Sequence, residues 1–193
     1  MWSQFLGKSI DGELAGTVLE LLPSRGTTWS LWRADYPHGS VMDKGGVGII
    51  DSRSFIFEAE AAEVVGEPTA EGLSIYDLLL GLAFGDARVA FAMKDLVEDR
   101  VRNEVVDGTP LLIAASAGTY TGAAYQRTLD GDTLTFAVAP DESIVDESSR
   151  STWDLASGAA TSGALEGRAL TRVDSRQAFW FAWQGYWPDT TLR

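Results

Sequence analysis

Cysteine is missing from this chain of 193 residues, lysine occurs three times and histidine once. The first absence excludes disulfides, thiolate metal sites and a cysteine nucleophile. The second leaves arginine as nearly the whole cationic complement, with lysine only at Lys8, Lys44 and Lys94. The sole histidine, His38, follows Tyr36-Pro37, and the chain holds no G-x-S-x-G elbow on which a Ser-His-Asp triad could be built. His38 therefore reads as a surface or turn residue. Long apolar runs are also absent. The densest stretch, LSIYDLLLGLAF at 73–84, is too short to cross a bilayer and carries Asp77. No basic stretch followed by an apolar one marks a signal peptide in the chain as given, so the default expectation is a soluble, cytoplasmic protein without a membrane span.

What is present in excess is acid. Twenty-eight Asp and Glu face 15 Lys and Arg, a net charge of −13, with an isoelectric point near 4.4. Phosphate backbones demand clustered cations, so nucleic acid is excluded as a general partner. An acidic, lysine-poor surface stays hydrated when salt screens charge, which points to a halophilic, haloarchaeal source. With 45% apolar residues the chain has enough material for a substantial core.

The chain also repeats itself. Shifted by 151 positions, residues 2–37 align with 153–188 without a gap. Identical pairs include Trp2/Trp153, Gly12/Gly163, Leu14/Leu165, Gly16/Gly167, Trp29/Trp180, Trp32/Trp183 and Pro37/Pro188, with Tyr36 opposite Trp187. In each copy a G-x-L-x-G-x-x-L segment reads as a tight turn opening into a strand, followed by a turn at Ser24 or Ser175. A short helix follows, capped by Thr27 or Thr28 in the first copy and stopped by proline in both. Its aromatics share one face. Trp2 stands near the first residue whereas Trp153 follows a long stretch. The expectation is the C-terminal part of a first unit, 1–50, and a complete second unit, 51–193, packed as one body.

Between the copies strands dominate. FIFEAEAAE (55–63) partly alternates and GEPTAEG (66–72) reads as a loop. LLLGLAFGDARVAFAM (78–93) forms two strands around Gly85-Asp86, MKDLVEDR (93–100) a short helix, and 107–138 further strands with a turn at 130–132. The predicted fold is α+β, sheet-rich with short helices, containing a duplicated strand-helix unit.

These residues, taken in order, resemble the uncharacterised family called domain of unknown function 3179. The resemblance runs through NEVVDGTPLLIAAS (103–116), AAYQR (123–127), GDTLTF (131–136), DESSRSTW (146–153), GALEGRAL (163–170) and FWFAWQGYWPDT (179–190), with 2–37 similar to the end of the family's preceding unit. It implies a truncated member: the Cys-Pro-x-Cys segment common in the family's first unit has no counterpart, so no thiol or metal chemistry carries over. The family's Ala-Tyr-Pro stands here as Ala90-Phe91-Ala92, and its Thr-Gly-Ser-x-Trp as Ser149-Arg150-Ser151-Thr152-Trp153. The resemblance supplies a fold and no reaction.

Candidate sites follow. The faces Trp29/Trp32/Tyr36 and Trp180/Trp183/Trp187 could stack sugars or bases, but large aromatics at helical spacing bury themselves, and core is the expectation. Arg127, Asp146, Ser149, Ser151 and Trp153 form the best polar set. They either line a ligand pocket, with Arg127 holding an anion, or form a turn network with Arg127 paired to a carboxylate. No residues are assigned to catalysis or metal, and no cofactor is expected; the acidic pairs 141–142 and 146–147 do not match a calcium loop. The favoured function is a non-enzymatic binding or structural module whose partner is a small molecule or a protein. The alternatives are the scaffold of an enzyme whose active unit is missing, and a carbohydrate-binding module. An exposed apolar edge is expected to favour homo-oligomers.

Overall fold

The computed structural model describes residues 1–3, 5–20, 26–43, 72–116 and 121–193. The strand expected over 55–63, most of the loop over 66–72, the turn at Ser24 and the boundary near residue 50 lie outside the described residues. Within them, β1 (Trp2–Ser3), β2 (Lys8–Ser9) and α1 (Trp29–Asp35) come first, followed by β3 (Leu78–Phe84), β4 (Ala87–Ala92) and α2 (Met93–Asp99). Next are β5 (Val101–Val106), β6 (Thr109–Ser116), β7 (Thr121–Gln126), β8 (Thr128–Leu129), β9 (Asp132–Thr133), β10 (Phe136–Val138) and β11 (Ile144–Asp146). The chain ends with β12 (Thr152–Asp154), β13 (Ala159–Ser162), β14 (Arg172–Val173), β15 (Arg176–Phe179), α3 (Trp180–Tyr186) and β16 (Thr191–Leu192). The architecture is α+β.

Three four-stranded sheets carry the core, in the orders β15-β3-β4-β16, β14-β7-β6-β5 and β10-β11-β12-β13. Neighbours are antiparallel except β16, which runs parallel to β4. Period-two alternation assigns every side chain. Leu80 and Leu82 of β3 meet Leu111, Ile113 and Ala115 of β6 in one cluster, with Met93 and Leu96 of α2 between the sheets. Leu112 and Ala114 point the other way, onto Phe136, Ile144, Trp153 and Ala160 of the third sheet. Leu79 of β3 likewise turns outward, beneath Trp180 and Trp183 of α3. Strands buried on both faces need apolar residues on both, so LLLGLAF and LLIAAS read as unbroken apolar runs.

Polar side chains tie the layers together. Asn103 on edge strand β5 imitates a backbone pair: its amide donates to the Phe136 carbonyl at 2.8 Å and its oxygen accepts the Phe136 N–H at 2.9 Å. The Tyr125 hydroxyl, rooted in the middle sheet, donates to the Leu155 carbonyl at 2.6 Å. Asp130 and Gly131 both take positive φ, 54° and 96°, the two-residue turn that joins β8 to β9.

The segments 151 residues apart share a hydrogen-bond pattern. Ser9 N–H to Thr17 O, Gly16 N–H to Ser9 O and Leu19 N–H to Gly7 O recur as Ala160 to Arg168, Gly167 to Ala160 and Leu170 to Gly158. Gly12 and Gly163 hold the same left-handed turn, at φ 90° and 93°. Helices α1 and α3 occupy equivalent positions and end alike, Tyr36 N–H donating to Trp32 O and Trp187 N–H to Trp183 O.

Their surroundings differ. In α3, Trp183 is fully buried and Trp180 nearly so. Trp183 lies so close over Gly81 that a Cβ there would come within 2.2 Å of its ring. Phe5 completes the packing, stacked on Tyr186 with centroids 4.6 Å apart and 5.2 Å from Trp187. Helix α1 buries no residue. The aromatic core expected of both helices forms only at α3; Trp29 is 57% exposed and Tyr36 56%. The reason is the neighbour: α3 lies on the outer face of β3 and β4, while the α1 aromatics mainly meet one another, Trp29 stacking on Trp32 at 5.1 Å. Thr28 holds the start of α1 by accepting the Leu31 N–H at 3.4 Å.

Candidate functional site

The sequence DESSRSTW folds into a tight turn around one carboxylate. Asp146 ends β11, fully buried, and its two oxygens receive five hydrogen bonds. The Ser148 hydroxyl and Ser149 N–H reach Oδ1 at 2.8 and 2.6 Å. The Ser149 hydroxyl, Ser151 N–H and Trp153 indole N–H reach Oδ2 at 2.6, 3.2 and 3.1 Å. Burial pushes this carboxyl upward, but donors from Ser149, Trp153 and Ser148 outweigh it and bring its pKa down to about 2. The Ser151 hydroxyl lies 2.7 Å from that of Ser149 and accepts the Leu165 N–H at 2.9 Å. The network thereby clamps the second G-x-L-x-G turn onto β12. Its chemistry is that of a satisfied internal anion: an acceptor whose capacity is filled by its own chain.

Arg127 is not among the donors to Asp146. Its guanidinium donates to the Leu134 carbonyl at 2.7 Å, across the β8–β9 hairpin. The hydrogen-bonded set is Asp146, Ser149, Ser151 and Trp153, and Arg127 bonds the carbonyl two residues before Phe136, the partner of Asp146 in the sheet. Of the five, only Trp153 lines the large groove described next.

That groove, of about 1000 Å³, runs between α1 and strands β6, β7 and β12. One wall is Leu31, Trp32, Asp35 and Tyr36 of α1; the floor comes from the ends of β6 and β7; the other wall is β12 and the turn at 154–157. Arg100, Arg172, Glu142 and Ser143 stand at its polar parts. The turn is rigid, because Asp154 caps it by accepting the Ala156 N–H, the Ser157 N–H and the Ser157 hydroxyl at 3.1, 3.1 and 2.6 Å.

Position 151 residues earlier, Ala156 of this turn corresponds to Phe5. Phe5 fills the space beside Trp183, Tyr186 and Trp187. Ala156 lines the groove together with Trp32, Asp35 and Tyr36.

Arg100 has a fixed place at the hinge between α2 and β5. Its backbone takes φ 67°, its N–H donates to Leu96 O at 2.7 Å and its carbonyl accepts the Ala115 N–H at 2.9 Å. Its Nε is buried and has no hydrogen-bond partner. Its nearest carboxylate is Glu142, 3.7 Å from Nη1 and itself largely exposed. Sequence reasoning passed over Arg100, since a lone arginine between a helix and a strand belongs to no motif. No cluster of three or more His, Cys, Asp or Glu suited to a metal occurs among the described residues. No helix among them is long and apolar enough to cross a membrane.

A sheet-rich α+β protein with a closed polar turn and an open aromatic groove is a class defined by architecture, without a reaction. The chain belongs to the family described as "Protein of unknown function (DUF3179)", whose model matches residues 1–190. No curated protein and no solved structure matches the chain.

Proposed function

We propose that this chain is a non-catalytic binding module built on a duplicated strand-helix unit, and that its ligand occupies the groove between α1 and the turn at 154–157. The observation that carries the reading is the unequal pair Phe5 and Ala156. The repeated hydrogen bonds and the equivalent helices support a duplication. At one joint Phe5 closes the aromatic helix into core, and at the other Ala156 leaves Trp32 and Tyr36 along a groove of about 1000 Å³. Its volume is at the upper end of the range for small-molecule sites, about 300–1,000 Å³. The Asp146 network serves the site from behind, by fixing Trp153 and the second turn.

The test is Ala156→Phe. The larger side chain fills the groove as Phe5 fills its own joint. Ligands found by tryptophan-fluorescence screening of a saccharide and small-molecule panel lose binding in this variant while thermal stability is kept or raised. Undiminished binding in Ala156→Phe places the ligand elsewhere. The acidic surface belongs to the same proposal: a halophilic protein at −13 unfolds at higher temperature in molar salt than in dilute buffer. Equal melting temperatures across the salt series contradict that part.

A further inference from the structure

We infer that the chain pairs with a second molecule of itself through the open edge of β1, the two strands running antiparallel about a two-fold axis beside Trp2. The later of the two aligned segments shows what such an edge takes. There β12 lies between β11 and β13, with Ile144 opposite Trp153 on one side and Ala160 on the other. Trp153 and Leu170 share a core cluster with Phe136 and Ile144, and Leu165 packs against it. In the earlier segment β1 pairs with β2 alone among the described residues. The equivalent side chains, Trp2, Leu14 and Leu19, are exposed there, Leu19 at 53% where Leu170 is at 6%.

The backbone points the same way. Ile10 N–H donates to Met1 O, so Trp2 and Ser9 form a non-hydrogen-bonded pair and Trp2 turns its own N–H and C=O away from β2. An unpaired strand edge of this kind is a template for another strand. In a two-fold pair Trp2 exchanges both hydrogen bonds with the same residue of the second molecule, and one surface serves both partners. Trp2, Leu14 and Leu19 leave roughly 300 Å² of apolar surface in one patch, a size that marks interaction sites. Two such patches and the strand edges fall below about 1,200 Å², so the pair is weak and reversible. A charge of −13 on each molecule opposes association in dilute buffer, and molar salt screens it.

Sedimentation velocity of the whole chain tests this. In molar salt the mass rises from 20.8 kDa toward twice that value between about 1 and 100 μM, the range of a weak specific pair, and in dilute buffer it stays at the monomer. Leu19→Glu, at a half-exposed position, remains monomeric in molar salt. Val105→Glu, equally exposed but on β5 of a different sheet, dimerises like the wild type. Trp2→Cys gives this cysteine-free chain a single thiol. The paired strands bring the two Cα atoms to about 5.5 Å, within disulfide reach, so oxidation in molar salt links Trp2→Cys far faster than Val105→Cys. Equal rates of linkage, or Leu19→Glu dimerising as strongly as the wild type, overturns the inference. A wild-type protein that stays monomeric in molar salt also overturns it, and leaves the β1 edge to a strand of different sequence.

Discussion

Helices α1 and α3 have the same length, the same Trp-x-x-Trp spacing and the same terminating proline, yet α3 buries both tryptophans and α1 buries no residue. Local sequence therefore decides that a helix forms, and its neighbours decide whether its aromatics become core. For α3 the neighbours are the apolar outer face of β3 and β4, the close approach at Gly81, and Phe5. For α1 the 154–157 turn, carrying Ala156, and the ends of β6 and β7 only share the lining of the groove. The Thr28 cap fits this contrast. α3 starts at Phe179 with no side-chain cap and is held by packing, whereas α1 has little packing and carries the cap.

The largest expected effect separates the two helices directly. Trp183→Ala removes a fully buried ring that also donates to Thr190 at 2.8 Å, and costs about 4 kcal/mol of unfolding free energy. Trp29→Ala, the matching change in α1, costs about 1 kcal/mol or less, because the ring is mostly exposed and loses only its stacking on Trp32 and the Arg33 guanidinium 5.9 Å above it. Urea denaturation of both variants measures the ratio, and similar losses break the comparison.

A second contrast lies between Trp153 in β12 and Trp2 in β1. Trp153 is held by Asp146, while Trp2 is 43% exposed. The Asp146 carboxyl has a folded pKa of about 2 against an ordinary value of 3.8. Its stabilisation is present in full above the ordinary value and is lost as pH falls through 2. Between pH 5 and the region below 2 the wild-type protein loses about 2 kcal/mol more than Asp146→Asn does. Denaturation curves across that range measure it, and parallel profiles contradict it.

Smaller still is Phe5→Ala, which opens the α3 joint and costs about 2 kcal/mol or less, Phe5 being only partly buried. Near-ultraviolet circular dichroism of Tyr186 and Trp187 changes with it, since Phe5 stacks on Tyr186 and packs at a tilt against Trp187. An unchanged spectrum means Phe5 is not the plug at that joint.

Much of this fold is legible in residues alone. The hairpin of β3 and β4 follows from two apolar runs around Gly85-Asp86, and the Thr28 cap from the residue type before a Trp-x-x-Trp helix. The Asp146 network is half-legible: DESSRSTW announces a serine-rich turn, but only the fold brings Trp153 Nε1 and Leu165 N–H to it. Arg127 belongs with that turn by motif, at a strand end near a Trp, and its guanidinium instead bonds the Leu134 carbonyl in the neighbouring segment. The groove was least legible. Its signal lies in a mismatch between the two aligned segments, Phe5 against Ala156, whereas identical pairs mark only what the segments share. A site made by a missing side chain leaves no motif.

The central claim is that residue 156 decides whether the α1 aromatics wall an open groove. The most direct measurement is the water-to-deuterium-oxide shift of each 5-fluorotryptophan fluorine signal, assigned by single Trp→Phe replacements, in the wild-type protein and in Ala156→Phe. The account predicts a large solvent shift at Trp29, a moderate one at Trp32 and none at Trp183 in the wild type. In Ala156→Phe the Trp32 shift falls toward that of Trp183 while Trp29 stays as it was. A Trp32 signal indifferent to position 156, or a wild-type Trp29 as protected as Trp183, contradicts it.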